Sequence, residues 1–278
     1  MDEKFSVSIC VYGKDNPKHF DVALSSIINQ TLLPNEIVLT VDGLIPDEIE
    51  AVIEKYRSIA GERLIAFKVV YLEKNLGHGE ARRICFENCT HDLIALMDAD
   101  DISVPERFEK QVAYLRTNPK LSIIGGNIQE FIGVPENCVG KRIVPETDSE
   151  IKHYMKKRCP MNQVTVMFKK NDVATVGGYI DWYCEEDYYL WIRMALAHMR
   201  FGNVPEFLVN VRVGEEMYAR RGGWKYYKSE AKLQKYMLKN EIINFPTYIA
   251  NKAKRFILQV LMPNRIRGWV FQKFARRK

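Results

Sequence analysis

The chain has 278 residues, of which 47% are apolar and 27% charged, a balance typical of folded globular proteins. Two acids precede the first short apolar run, and no stretch reaches the ~18–20 unbroken apolar residues of a spanning helix, so we expect neither a secretory signal nor a membrane span. Residues 247–278 hold nine Lys or Arg and no acid, and they account for the net charge of +6 at pH 7. We therefore expect a cytoplasmic protein that meets polyanions through this tail.

The first 101 residues alternate short β-rich apolar runs with segments of helical periodicity. The pattern predicts strands at 5–12, 36–41, 65–72 and 93–97, and helices at 20–30, 47–60 and 78–88. Strands that alternate with helices imply parallel βαβ units in a doubly wound, mostly parallel α/β sheet. Ligands bind such sheets beyond the carboxyl ends of the strands, so the polar residues that follow each strand are the candidate site.

The second half of the chain is less regular. Its patterns predict helices at 105–117, 225–239 and 247–261, and strands at 121–132 and 163–169. The glycine pair Gly177-Gly178 predicts a turn before an apolar helix that opens with three acids at 185–187. The helices at the carboxyl end predict a helical extension of the sheet.

The sequence Asp98-Ala99-Asp100-Asp101 follows the most hydrophobic predicted strand. Closely spaced carboxylates at such a position suit a hard divalent cation, Mg²⁺ or Mn²⁺, which would bridge diphosphate oxygens. These acids would otherwise only cap the helix that starts near Pro105, or be solvated. Three other polar strand ends converge on the same edge of the sheet, and this position favours the metal site.

Two further strand ends carry candidate ligand-binding residues. Asp42, followed by Gly43, is placed to bind a nucleobase or ribose, although Asp-Gly is also a common turn dipeptide, and the residues alone leave both interpretations open. The segment from Asn75 to Arg82 joins a glycine turn to a helix, and backbone amides at a helix start, with an arginine, suit an anion. His78 in this segment has no partner that indicates catalysis.

Three consecutive acids, Glu185-Glu186-Asp187, open the aromatic helix. Acids at a helix start interact favourably with the helix dipole, by about 0.3–1 kcal/mol each, which would be a purely structural role. Three consecutive acids are more than a helix cap requires. We therefore expect one of them to act as a general base toward an acceptor hydroxyl.

Taken in order, these motifs resemble family 2 glycosyltransferases of the GT-A fold, especially the bacterial O-antigen and exopolysaccharide enzymes of the amylovoran type. The resemblance runs from about residue 5 to residue 221. It rests on the segments VSICVYGKD, SSIINQTLLPNEIVLTVDG, NLGHGEARR, LMDADD with PERFEKQ, NQVTVMFKK, GGY and EEDYYLWIRM.

The resemblance implies a role for each matched residue. Asp187 would be the catalytic base, Glu186 would position the acceptor, and Asp98 and Asp100 would hold Mn²⁺ or Mg²⁺. The residues that it places at the nucleotide-sugar are Tyr12, Asp42, Asn75, Arg82, Asp98, Ala99, Asp100, Arg212, Arg220 and Arg221.

The resemblance also implies an inverting, metal-dependent hexosyltransferase that uses a nucleotide-diphosphate sugar, with UDP as the expected nucleotide. The expected fold is a Rossmann-like GT-A domain over residues 1–223, with a nucleotide-binding half to about 101, an acceptor half over 102–223, and a basic helical extension over 224–278. The chain departs from the family in Tyr12-Gly13, where a proline turn is usual, and in the single acid Asp42. The Q-x-x-R-W signature of processive synthases is absent, so we expect addition of one sugar.

Basic and aromatic residues alternate in the segment 247–278, which suits an interfacial helix on anionic lipid. Packing on the catalytic domain is the alternative, while nucleic acid is not expected because no binding motif accompanies the charge. A membrane contact would fit an undecaprenyl-diphosphate-linked saccharide acceptor at the inner face of the plasma membrane, in the synthesis of bacterial surface polysaccharide.

Two other functions share parts of this pattern. A sugar-1-phosphate nucleotidyltransferase would carry a glycine-rich, lysine-bearing phosphate loop after the first strand, and Gly13-Lys14-Asp15 is a poor version of that loop. A non-catalytic sugar-nucleotide binding module would be expected to lose Asp100 or Asp187. Both acids are present.

Overall fold

The computed structural model describes residues 3–214 and 222–263. Its strands are β1 (Phe5–Tyr12), β2 (Glu36–Asp42), β3 (Ala66–Tyr71), β4 (Leu93–Asp98), β5 (Ile102–Ser103), β6 (Ile123–Phe131), β7 (Cys138–Arg142), β8 (Met167–Lys169) and β9 (Phe201–Arg212). Its α-helices are α1 (Pro17–Ile28), α2 (Asp47–Glu62), α3 (His78–Asn88), α4 (Arg107–Thr117), α5 (Asp148–Met155), α6 (Lys170–Thr175), α7 (Glu186–Leu196), α8 (Trp224–Lys239) and α9 (Phe245–Phe256). A π-helical turn, Ile257–Leu261, continues α9.

These strands form one sheet in the order β3-β2-β1-β4-β8-β6-β9-β5, with β7 paired to β6. The strands β1 to β4 are parallel, β8 is antiparallel to both β4 and β6, and β6 and β9 are parallel. The predicted α/β, doubly wound and mostly parallel sheet is confirmed. The register places Tyr12 opposite Asp42 and Cys10 opposite Asp98, so the carboxyl ends of β1, β2 and β4 lie along one edge.

Several elements of the second half differ from the sequence prediction, and β5, β7, α5 and α6 were not predicted. The prediction of a strand at 163–169 is wrong for the first half of this range, where Gln163–Thr165 forms a 3₁₀ turn. The long strand β9 was not predicted, because Pro205 cannot donate a ladder hydrogen bond. In the β6–β9 ladder Val204 lies opposite Gly126 and Phe207 opposite Asn127, so Pro205 sits in a bulge between them.

Alternate residues of each central strand face two apolar cores, one on each side of the sheet. The first core packs β1, β2 and β4 against α1, α2 and α4. The second packs the other face against α3, α5 and α7. Leu233 and Met237 of α8 are fully buried in this second core. Ser229 of α8 also donates from Oγ to the backbone oxygen of Tyr183 at 2.6 Å, so α8 lies close to the segment that leads into α7.

Candidate active site

Arg82 lies at the centre of the candidate site. The chain turns into α3 at Gly77, whose φ of 90° is in the left-handed region that favours glycine, and α3 then carries Arg82 toward the end of β4. Its guanidinium is buried and donates from Nη2 to Asp98 Oδ1 at 2.6 Å. Burial alone would lower the pKa of Arg82, but the carboxylates of Asp98 and Glu186 raise it overall. Arg82 is therefore a permanent cation between two acidic groups.

The four residues 98–101, at the end of β4 and directly after it, have distinct environments. The Asp98 side chain is 35% exposed, Ala99 is buried and Asp100 is exposed. Asp101 is buried, and its Oδ1 accepts a hydrogen bond from the backbone N–H of Arg212 at 2.8 Å. Burial, and then the nearby Asp100 and Asp98, raise the pKa of Asp101 well above its usual range. Asp101 thus anchors β9, while Asp98 and Asp100 border open space.

The end of β9 is fastened beside the same acids. Arg212 donates from Nε to the backbone oxygen of Asp100 at 3.2 Å and from Nη1 to that of Gly133 at 2.8 Å. Its guanidinium lies 4.7 Å from the ring centroid of Phe131. Arg212 is therefore next to the predicted metal ligand. The other two predicted phosphate contacts, Arg220 and Arg221, lie outside the described residues.

Asp42 is occupied by the turn that precedes α3. It is buried, and its two carboxylate oxygens accept the backbone N–H groups of Leu76 at 2.7 Å and Gly77 at 3.1 Å. Asn75 is exposed and donates from Nδ2 to the backbone oxygen of Asp42 at 3.2 Å. Tyr12, opposite Asp42 in the sheet, is 38% exposed. The contacts of Asp42 hold the Asn75–Gly77 turn beside Tyr12, and contact with a nucleotide stays a prediction.

The predicted acidic helix start is confirmed, with α7 beginning at Glu186 after Glu185. Glu186 is buried, and its Oε1 lies 3.9 Å from Nε2 of His78 on α3. A Cβ atom added at Gly79 would lie 3.7 Å from the Glu186 Cβ, so the two helix starts are in close approach. Burial, and then Asp187, raise the pKa of Glu186 to about 7, against the opposing effect of Arg82.

Asp187 is half-buried and accepts the N–H of Tyr188 at its Oδ1, at 2.6 Å. Burial raises the pKa of Asp187, while the Tyr188 N–H and the guanidinium groups of Arg82 and Arg142 oppose the rise. The same Arg82 therefore acts on Asp98 at the end of β4 and on both acids of α7. Arg82 is thus paired directly with Asp98, and its charge also lowers the pKa of Glu186 and Asp187.

The raised pKa of Glu186 predicts a pH-dependent stability. A carboxyl group with a folded-state pKa above its unfolded value binds more protons when folded, so its favourable contribution is present at pH 4 and is lost as the pH rises through about 7. We expect the free energy of unfolding of the wild type to fall between pH 5 and pH 8 by more than that of Glu186→Gln, with a difference on the order of 3 kcal/mol. Urea denaturation at the two pH values measures these free energies. An equal change in the wild type and in Glu186→Gln would contradict the buried placement of this carboxyl.

Two arginines that the sequence did not single out support the site. Arg107 is fully buried, donates from Nη2 to the backbone oxygen of Leu96 at 2.7 Å and from Nε to Gln111 at 3.0 Å, and so fixes the end of β4. Burial lowers the pKa of Arg107 to about 9, although the nearby carboxylates of Asp98 and Asp101 act to raise it. Arg142 acts on Asp187 from β7. The only sequence signal for the supporting role of Arg107 was its spacing of four residues from Gln111 in the segment PERFEKQ.

The donor set at the end of β4 fits a divalent cation shared with a substrate. Within residues 3–214 and 222–263 there is no cluster of three or more Asp, Glu, His or Cys side chains that would enclose a metal by itself. Mg²⁺ is usually held by one or two carboxylates together with substrate phosphates. Asp98 and Asp100 supply two such carboxylates. Arg82 Nη1 is buried and lacks a hydrogen-bond partner among the described residues, as expected of a group that a bound anion would complete.

Comparison with known proteins identifies the class. The sequence profile described as "Glycosyl transferase family 2" matches residues 6–176. The chain is 38% identical to the amylovoran biosynthesis glycosyltransferase AmsE of Erwinia amylovora, over 84% of this chain and 85% of the relative. It is 35% identical to UDP-Gal:alpha-D-GlcNAc-diphosphoundecaprenol beta-1,3-galactosyltransferase of Escherichia coli, over 99% and 97%. The chain belongs to glycosyltransferase family 2, and the resemblance to enzymes of the amylovoran type is confirmed.

The fold agrees with this assignment. The mannosyltransferase PcManGT of Pyrobaculum calidifontis, solved in complex with GDP-Man and Mn²⁺, superposes with a TM-score of 0.66 over 94% of this chain and 71% of that one. At 13% identity the likeness concerns the fold alone. The chain therefore has the predicted GT-A fold and is a glycosyltransferase.

Proposed function

We propose that this chain transfers one sugar from a nucleotide-diphosphate sugar, with UDP as the nucleotide, to a lipid-linked saccharide during bacterial surface polysaccharide synthesis. The observation that carries the proposal is the placement of Arg82, which is paired with Asp98 on the donor side and acts on Glu186 and Asp187 on the acceptor side. One buried cation is thus paired with a carboxylate of the donor half and acts electrostatically on two carboxylates of the acceptor half.

The relatives support the substrate classes. The Escherichia coli relative is named for a UDP-linked galactose and a diphosphoundecaprenol-linked acceptor, and the Erwinia amylovora relative for amylovoran biosynthesis. The chain aligns with the first over nearly the whole length of both proteins. An undecaprenyl-diphosphate-linked saccharide is accordingly the acceptor that we propose here.

The proposed mechanism is a single displacement. Asp187 accepts the proton of the acceptor hydroxyl while that oxygen attacks the anomeric carbon from the face opposite the diphosphate. The new bond joins acceptor oxygen to the anomeric carbon, the bond to the phosphate oxygen breaks, and the configuration inverts. Glu186 and His78 border the acceptor, and Arg82 offers its Nη1 to the donor phosphates.

The leaving diphosphate requires neutralisation. Asp98 and Asp100 would hold Mn²⁺ or Mg²⁺, which supplies Lewis-acid stabilisation of the charge on the departing phosphate. Arg212 fixes the backbone of Asp100, so it holds this carboxylate at the edge of the site.

The protein is proposed to work at the inner face of the plasma membrane, held there by the segment 247–278. No helix in the described part of the chain combines the length and the hydropathy that crossing a bilayer requires. A peripheral contact is consistent with a saccharide that is itself anchored in the membrane.

A donor panel tests the proposed reaction. Purified protein is incubated with several UDP- and GDP-sugars and Mn²⁺, and the released products are quantified. Release of nucleoside diphosphate supports the transferase, and its rate should increase when a lipid-linked acceptor is added. Release of pyrophosphate from a nucleoside triphosphate and a sugar phosphate would instead favour a nucleotidyltransferase, and no turnover of any donor would favour a binding module.

Metal dependence gives a second prediction. Replacement of Asp100 by Asn removes one proposed ligand, and since metal stabilisation of a leaving group is worth several kcal/mol, we expect transfer at saturating donor to fall by about 100-fold or more. EDTA should abolish wild-type transfer, and Mn²⁺ should restore it. The exposed acid Asp47 lies in the first turn of α2, so Asp47→Asn is the matched control. Full activity of Asp100→Asn in EDTA would contradict the metal assignment.

A further inference from the structure

The last described helix, α9 with its π-helical turn, buries polar side chains. Asn251, Arg255 and Gln259 recur every four residues along one face, and they are only 8%, 9% and 5% exposed. A helix on the surface of a water-soluble domain normally turns its apolar face inward and its polar face outward. In α9 the inward face is the polar one.

The outward face of the same helix is apolar. Its residues also recur every four positions, and we call them the apolar stripe: Phe245, Ile249, Ala253, Ile257 and Leu261. Four of them are large, and these are 63%, 48%, 52% and 62% exposed, in that order. Five exposed apolar residues that recur over the 17 positions from Phe245 to Leu261 mark an interaction surface rather than scattered exposure.

The inward face is fixed by specific partners. Arg255 Nε lies 3.0 Å from Glu230 Oε2, and Gln259 donates to the same carboxylate. Asn251 donates from Nδ2 to Gln234 Oε1 at 2.8 Å and to the backbone oxygen of Lys156 at 2.9 Å. Rotation of α9 to bury the apolar stripe would break these bonds and leave Glu230, whose side chain is only 12% exposed, without its cation, which is costly. The stripe therefore stays outward.

The net positive charge of α8 and α9 selects the partner of the stripe. Residues 222–263 contain seven lysines: Lys252 and Lys254 on α9 itself, and an exposed row of five on α8, Lys225, Lys228, Lys232, Lys235 and Lys239. Two members of this lysine row, Lys225 and Lys232, lie over the rings of Tyr183 and Trp182. The acids of this region are Glu230, which is paired inside, and Glu241. Two copies of such a surface would repel each other. An anionic lipid surface would attract it.

Aromatic side chains border the stripe. Trp224 at the start of α8 is 56% exposed, and its ring centroid lies 5.7 Å from those of both Tyr227 and Phe256. Trp and Tyr are enriched where a protein meets the headgroup region of a bilayer. Apolar stripe, lysine row and aromatic cluster together have the composition of a helix that lies in a membrane interface.

We propose that α9 lies parallel to an anionic bilayer with its apolar stripe inserted at the headgroup boundary. This inference rests on the proposed function, in which the acceptor is anchored in the same bilayer. Ser229, the neighbour of Glu230 on α8, donates from Oγ to the backbone oxygen of Tyr183 at 2.6 Å. The helix α8 therefore connects α9 with the segment that leads into α7.

Vesicle binding tests the proposal in the full chain. The double variant Ile249→Gln, Ile257→Gln removes apolar surface without changing charge, and we expect about a tenfold or greater loss of affinity for phosphatidylglycerol-containing vesicles in sedimentation assays. Leu64 is 92% exposed at the far end of α2, so Leu64→Gln is the matched control and should bind as the wild type does. Wild-type binding should be weaker to pure phosphatidylcholine vesicles.

The outcomes separate this inference from the proposed function. Both positions are exposed, so the double variant should melt as the wild type does and release nucleoside diphosphate normally with a water-soluble acceptor. Unchanged vesicle affinity of the double variant would overturn the inference, as would a wild-type dimer that the variant converts to a monomer, because a second copy would then cover the stripe. Failure of the wild type to turn over any donor would refute the proposed function and leave the vesicle result standing.

Discussion

Replacement of Asp187 by Asn is expected to lower the rate of sugar transfer by about 10²–10⁴-fold, the usual contribution of a general base. Asn keeps the size of the side chain and can still accept the Tyr188 N–H at 2.6 Å, so the fold and the start of α7 should be retained. The proposed donor contacts lie on other elements, and the Kd for the nucleotide-sugar should change little. Single-turnover transfer and donor titration measure the two quantities separately.

A matched variant makes the result specific. Asp172 lies in the first turn of α6, on a helix that carries none of the proposed site residues, and Asp172→Asn should transfer sugar at the wild-type rate. Glu186 is the other acid of the pair, with a pKa raised to about 7. If Asp187→Asn kept normal turnover while Glu186→Gln lost it, the base would be Glu186 and the assignment made here would be wrong.

Replacement of Arg82 by Met should affect both stability and activity. Met approximates the length of the arginine stem but leaves Asp98 without its paired cation and removes a positive charge that lowers the pKa of Glu186 and Asp187. Loss of one partner of a buried ion pair costs about 3–5 kcal/mol, and because the Asp98 side chain is 35% exposed we expect a loss near the lower end, about 3 kcal/mol. Transfer should be abolished, since both the donor phosphates and the two acids of α7 lose a positive neighbour.

The next residue provides the control for that experiment. Arg83 pairs with Glu80 and Glu87 on the surface of α3, with its side chain 37% exposed. Exposed pairs of this kind contribute about 0–1 kcal/mol, so Arg83→Met should stay close to the wild type in urea denaturation and in transfer. Equal losses in the two variants would show that a cation between the acids is not what the site requires.

The sequence was most informative where local patterns coincide with the sheet. The alternation of apolar strands and helices predicted β1 to β4 and α1 to α3 within a few residues, because each element is set by its own periodicity. Asp98 and Glu186 stood out because a carboxylate next to a buried segment destabilises the fold unless it is paired or binds a metal or another ligand. The predictions for the second half were weaker, and β9 was missed because Pro205 interrupts its pattern and only the bulge opposite Asn127 accommodates it.

Tertiary structure decided how these residues act on one another. Nothing in the spacing of these residues shows that the Arg82 guanidinium pairs with Asp98, or that His78 lies 3.9 Å from Glu186. The inverted burial of α9 was equally hidden, since a helical pattern gives the angle between its faces but not which face meets the domain. By itself the sequence determined the elements, the fold class and the residue types of the site, because these follow from local periodicity and chemistry. Distances, burial and shifted pKa values depend on contacts between distant segments, and only the folded chain sets them.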